Sequence, residues 1–193
     1  MAESNRQLVH EEHRAGRECF PLILLLDGIC DGANVGAIFR LADALGVERL
    51  LLCGNTVSPP NRRLTRTARS ADKVVLHERC DDLNATLMRL REQGYCFVAL
   101  ELTAQSVDLK DVDFGRAGKI CLILGAEQQG VSQPLLEIAD QTVHIPMLGQ
   151  NSSMNVAAAC AIAVYEITGD LRRSIRPASL ASNIEGANEK TQK

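Results

Sequence analysis

Residues 21–28 read PLILLLDG, an unbroken apolar run that stops at Asp27 and Gly28. A run of this length, made of leucine and isoleucine and closed by glycine, fits a strand buried on both faces. Such a strand belongs inside a parallel sheet, so this one segment already demands helices above and below it. The rest of the chain follows suit. RLLLCG (49–54), KVVLHE (73–78), YCFVALEL (95–102), KICLILG (119–125) and TVHIPM (142–147) read as further strands. Between the first two, NVGAIFRLADALG sets Val35, Ile38, Ala42 and Leu45 on one helical face and stops at Gly46. DDLNATLMRLREQG (81–94) is a helix with an aspartate cap and a terminal Gly94, and residues 155–169 form the last helix. The expected fold class is α/β, a mostly parallel sheet with helices on both faces. Residues 1–20 are read as an N-terminal helical extension, 21–169 as the domain, and the polar residues 170–193 as a partly disordered tail.

Charge and cysteine usage narrow the class. Hydrophobic residues make up 46% of the chain, yet no apolar stretch has membrane-span length. The leader MAESNRQLVHEEHRAGRE lacks the apolar core of a signal peptide, so a cytoplasmic location is expected. Seven cysteines without a CxxC pair fit that compartment as reduced, largely buried thiols. His10 and His13, in HEEH, fall one residue short of a HExxH spacing, and no metal is expected. The net charge of −3 conceals a basic segment, NRRLTRTARSADK (61–73), with Arg62, Arg63, Arg66, Arg69 and Lys73. Arginine forks suit phosphates, so these four arginines are candidate RNA contacts. Arg172, Arg173 and Arg176 form a second, smaller group.

Three loops at strand ends hold the unusual residues, and open parallel sheets bind ligands at that edge. After the first strand, Asp31, Gly32 and Asn34 turn into a helix, and Arg40 follows six residues beyond Asn34. LGAEQQGVS (124–132) has a GxExxG spacing, with Ser132 placed to cap the helix that starts at Gln133 and Pro134. Glu127 stands where a dinucleotide loop needs glycine, and its carboxylate repels pyrophosphate; the loop suits a cationic ligand or a held arginine instead. VHIPMLGQNSSMNV (143–156) crowds uncharged polar residues at the mouth of an apolar helix, far more than one cap requires.

In this order the loops resemble the SpoU/TrmH branch of the SPOUT RNA methyltransferases over about residues 21–166. The first motif, an asparagine followed six residues later by arginine, matches Asn34 and Arg40. The second, a strand ending in GxExxG, matches Gly125 to Gly130. The third, IPM-x-G followed by Ser-Leu-Asn, matches Ile145 to Gly149 and Ser153 to Asn155, with Met154 for the usual leucine. The resemblance implies a C-terminal deep trefoil knot and a homodimer. It implies S-adenosylmethionine held by Leu100, Gly125, Ile145, Gly149 and Met154, with methyl transfer to a ribose 2′-hydroxyl of tRNA or rRNA. Arg40, Asn34, Glu127, Ser153 and Asn155 take the catalytic positions. Ser153 and Asn155 face the reacting groups, and Arg40 serves the proton transfer or stabilises the developing alkoxide. Two alternatives compete: a catalytically inactive SPOUT-fold RNA-binding protein, and a flavodoxin-like nucleotide binder that Glu127 disfavours.

Overall fold

The protein is described by a computed structural model that covers residues 5–7 and 18–175. His10, His13, Arg176 and most of the expected terminal segments lie outside these residues. In chain order the elements are β1 (Phe20–Asp27), α1 (Gly32–Ala44), β2 (Val47–Cys53), α2 (Arg62–Ala68), β3 (Leu76–Cys80), α3 (Leu83–Glu92), β4 (Cys96–Leu100), β5 (Val107–Asp108), β6 (Ile120–Gly125), α4 (Gln133–Ile138), β7 (Gln141–His144) and α5 (Val156–Ile175). The seven strands make one sheet in the order β3-β2-β1-β6-β4-β7-β5, and every pairing in it is parallel.

β1 lies inside the sheet, between β2 and β6, and its side chains alternate between two cores. Leu22, Leu24 and Leu26 point to the layer of α1, α2 and α5, where they share a cluster with Ile38, Phe39, Leu64, Ala163 and Ile167. Ile23 and Leu25 face the layer of α3 and α4, with Leu90, Phe97, Ile123 and Leu135. Residues 22–26 are all 0% exposed. At about 1.5–3 kcal/mol for each buried side chain, this strand anchors both layers. α2 rides directly on α1: a Cβ on Gly36 would lie 2.5 Å from the Leu64 carbonyl oxygen.

Several local expectations are corrected. α5 continues past Gly169 to Ile175 because Leu171 keeps the helical period and is buried, so the first residues of the expected tail belong to the domain. β3 begins at Leu76, since Ala71–Lys73 form a single 3-10 turn entered through Arg69 and Ser70 at φ +49° and +75°. Asn34 lies inside α1, whose cap is Asp31, with Oδ1 accepting from the Ala33 N–H at 2.8 Å. Ser132 occupies the cap position of α4 without a side-chain bond; its own N–H donates to Asp27 Oδ2 at 2.9 Å. The two-residue strand β5 was not anticipated. Cys53, Cys121 and Cys160 are buried free thiols, and burial pushes all three up from their ordinary range. Among the described residues no helix is long and apolar enough to cross a membrane.

Candidate functional site

Because β1, β6 and β4 are neighbours, the loops at their carboxyl ends converge. The loop after β6 folds back on itself so tightly that position 125 has no room for a side chain. A Cβ on Gly125 would sit 2.0 Å from the Gly130 carbonyl carbon and 2.1 Å from the Val131 nitrogen. Ala126 and Gly130 exchange backbone hydrogen bonds of 3.1 and 2.8 Å, and Gly130 takes φ +66°. Two carboxylates then pin the returning strand of the loop. Glu101, just past β4, accepts from the Val131 N–H at 3.0 Å, and Asp27 holds Ser132 as described.

Between this loop, the end of β4 and the segment after β7 lies a cleft of about 650 Å³. Leu100, Leu124, Leu136, Ile145 and Met154 give it apolar walls, while Ser152, Ser153 and Gln128 offer neutral polar groups. Its lining includes the carboxylates Glu101 and Glu127 but neither lysine nor arginine. His144 also lines it, and its tautomer follows from its neighbours. Ser106 Oγ donates to the Thr103 carbonyl at 2.9 Å and accepts from the Thr103 N–H at 3.0 Å. With that hydrogen used, Ser106 Oγ is left to accept, and His144 Nδ1–H is assigned as its donor at 3.0 Å.

Behind the cleft three side chains close a network. Asn34, only 9% exposed, donates from Nδ2 to Glu127 Oε1. Asn155 Nδ2 donates to Asn34 Oδ1 at 3.0 Å and lies 3.4 Å from Glu127 Oε1. Asn155 Oδ1 meanwhile caps α5, accepting from the N–H groups of Ala157 and Ala158 at 3.0 and 3.3 Å. Every oxygen and nitrogen of the two carboxamides is assigned by these bonds, so the carboxylate is held by α1 on one side and α5 on the other.

The expected site residues therefore divide. Leu100, Gly125, Glu127, Ile145, Ser153 and Met154 line the cleft, and Asn34 and Asn155 support it through Glu127. Gly149 is exposed and outside the lining. Arg40 is also outside it: six residues along α1 carry it about 9 Å from Asn34, to an exposed position without a side-chain partner among the described residues. Arg62, Arg63, Arg66 and Arg69 are all exposed on and just after α2. Of these, only Arg63 meets an acid among the described residues, Asp31, at 3.4 Å. Arg172 and Arg173, by contrast, are matched by Glu18 and Asp170. Asp27, Glu101 and the His144–Ser106 pair were not anticipated as site residues. Acids that terminate buried strands were the available signal for the first two.

A model of the SpoU rRNA methylase family matches residues 21–165. A 23S rRNA (guanosine-2′-O-)-methyltransferase of Vibrio parahaemolyticus is 35% identical over 146 residues, which are 76% of this chain and 58% of that protein. The chain thus matches little more than half of that relative's length. Among solved structures, the A. aeolicus TrmH/SpoU tRNA modifying enzyme superposes with a TM-score of 0.73 at 29% identity, covering 90% of this chain and 88% of the other. An AdoMet-bound rRNA methyltransferase from Sinorhizobium meliloti gives a TM-score of 0.73 at 29% identity, covering 83% and 62%.

Proposed function

From the fact that the chain belongs to the SpoU rRNA methylase family, we propose that it is an S-adenosylmethionine-dependent methyltransferase acting on a ribose 2′-hydroxyl of tRNA or rRNA. The observation that carries this reading is the charge of the 650 Å³ cleft: two carboxylates, neutral polar groups, apolar walls, one imidazole and, among the described residues, neither lysine nor arginine. That lining suits a ligand with apolar and cationic parts and opposes one carrying phosphates. It agrees with the solved Sinorhizobium relative, which holds AdoMet.

When bound, S-adenosylmethionine supplies an electrophilic methyl group. The chain's own contribution is placement. Leu100, Gly125, Ile145 and Met154 hold the ligand from the walls, and Glu101 fixes the loop that closes over it. Glu127, kept in one orientation by Asn34 and Asn155, orders the rim where a ribose would enter, and such positioning supplies much of a transfer rate. Ser153 offers a hydroxyl at the same rim. Arg40, exposed and unpartnered among the described residues, is assigned to stabilise the developing alkoxide, with its charge brought to the site only when RNA or a second subunit is docked.

The trefoil knot and the homodimer are part of the same proposal. α5 packs against α1 and β1 although β7 lies beyond β4, so the chain must return across the sheet. α5 also leaves Ile162 and Tyr165 exposed at 40% and 70%, an apolar stripe that pairing would cover. Calorimetry with S-adenosylmethionine in the presence of a chelator is expected to show binding. Mapping of 2′-O-methyl positions in RNA from cells with and without the gene is expected to show the loss of a defined site. A well-folded protein that gives no heat, or RNA with unchanged methylation, would sink the reading.

A further inference from the structure

On the other side of residues 126–129 lies a second recess, of about 590 Å³. The turn after β1 contributes Cys30 and Asp31, the segment after β2 contributes Asn55 and Asn61, and Arg63 of α2 completes the rim. Glu127 stands in the wall shared with the cleft. Unlike the cleft, this recess sets opposite charges side by side, and several of its polar atoms are already spoken for. Asp31 Oδ1 accepts from Ala33 and faces Arg63 Nη1 at 3.4 Å, and Oδ2 accepts no hydrogen bond among the described residues. Asn61 Oδ1 accepts from the N–H groups of Arg63 and Leu64, both at 3.0 Å, so its Nδ2 remains an open donor. The side chain of Asn55 has no hydrogen-bond partner among the described residues.

The geometry points to a base-reading subsite: the recess takes the base of the nucleotide to be methylated, and that base is a guanine read by Asp31 and Arg63. This rests on the RNA methyl-transfer reading. A carboxylate next to a guanidinium needs a ligand with adjacent N–H donors followed by an acceptor. Among the RNA bases only guanine offers that on its pairing edge, with N1–H and the N2 amino group for Asp31 and O6 for Arg63. Adenine and cytosine place a ring-nitrogen acceptor where the carboxylate needs a donor, and uracil flanks its one N–H with two carbonyls. A base taken out of its stack into such a pocket is read along this edge. Its ribose then comes to rest at the shared wall, where the Asn34–Glu127–Asn155 network faces the methyl-donor cleft.

Cys30 gives a probe that is independent of activity. Its thiol lies in the recess and is exposed, as is Cys19, which lies outside it and serves as the internal control. Alkylation by N-ethylmaleimide is followed at each cysteine by peptide mass spectrometry, with guanosine, adenosine, cytidine or uridine 5′-monophosphate at roughly 10 mM, a level suited to a millimolar affinity. The guanine nucleotide is expected to slow Cys30 several-fold and leave Cys19 unchanged, and Asp31→Asn is expected to abolish the protection. Asparagine keeps a capping oxygen for α1, so the variant should fold. Equal protection by all four nucleotides, no protection by the guanine nucleotide, or full protection in Asp31→Asn would overturn the subsite. In methyl transfer to total tRNA and rRNA from a strain lacking the gene, the product is expected to be 2′-O-methylguanosine. Asp31→Asn is expected to lower kcat/KM about ten- to a hundredfold, the size of one lost bidentate base contact, with S-adenosylmethionine affinity unchanged. Methylation of another base overturns the subsite and leaves the transfer reading standing. Protection of Cys30 by the guanine nucleotide, in a protein that methylates no RNA, supports the recess and overturns the transfer reading.

Discussion

The loop of residues 126–129 has two unlike sides. Facing the 650 Å³ cleft it meets apolar walls, neutral polar groups and a second carboxylate; facing the 590 Å³ recess it meets an aspartate–arginine pair and two asparagines. On the two proposals, one short loop separates a ligand suited to a cleft without lysine or arginine from one read by a paired aspartate and arginine. Neither side is read by the loop alone: Glu101 and β7 complete the first, while α1 and α2 complete the second.

The variant expected to do most damage erases the distinction altogether. Gly125→Ala drives a methyl group into the backbone of residues 130 and 131, so the loop cannot fold back. A destabilisation of about 3 kcal/mol or more is expected from such a backbone clash, together with loss of measurable S-adenosylmethionine binding. Thermal unfolding and calorimetry check it, and a variant with unaltered stability and affinity would show that the close approach is not needed. Next come changes that leave both hollows in place and remove what is assigned to the chemistry. Asn34→Ala and Arg40→Ala are each expected to lower methyl transfer by about a hundred- to a thousandfold, the scale of a lost electrostatic contact in the transition state. S-adenosylmethionine affinity should change by no more than about threefold, since neither side chain lines the cleft. Near-full activity in Arg40→Ala would remove that residue from the mechanism. The smallest effect is expected furthest from the wall. Arg62→Ala, Arg66→Ala and Arg69→Ala should each weaken RNA binding regardless of sequence and reduce the slope of log affinity against log salt by about one. Slopes that stay put in all three variants would disconnect α2 from the RNA backbone.

How much of this was legible in the sequence varies with the physics behind each feature. β1 announced itself because a strand buried on both faces has no polar side to disguise it, and α3 was bounded by its aspartate cap and Gly94, whereas α1 was found by its period and Gly46 but begins at Gly32, two residues before Asn34. β5 was invisible, since two residues carry no periodicity. The start of β3 was misplaced because Val74 and Val75 look like strand residues, whereas the left-handed Arg69 and Ser70 deliver them from a 3-10 turn. Strand order left no local trace either: nothing in KICLILG says that it inserts between β1 and β4. In the site, Gly125, Ile145 and Met154 were reached through motif order and Leu100 through the family resemblance alone, and all four line one cleft. Asp27 and Glu101 escaped notice because an acid at a strand end looks like ordinary surface until the loop it pins is seen. Arg40 shows the reverse: its spacing from Asn34 was plain, yet six helical residues turn it away from the cleft.

Glu127 is a boundary held in common, and a common boundary has a thermodynamic consequence. Its carboxylate has one position, set by Asn34 and Asn155, and ligands on either side must accept or shift that position together. The two occupancies are therefore not independent equilibria: whatever factor a methyl donor imposes on nucleotide affinity, the nucleotide must impose on the donor. Alkylation of Cys30 with and without S-adenosylmethionine measures one arm of that cycle, and calorimetry with and without guanosine 5′-monophosphate measures the other. The two factors must agree, and their common value gives the strength with which this wall sets the order of loading.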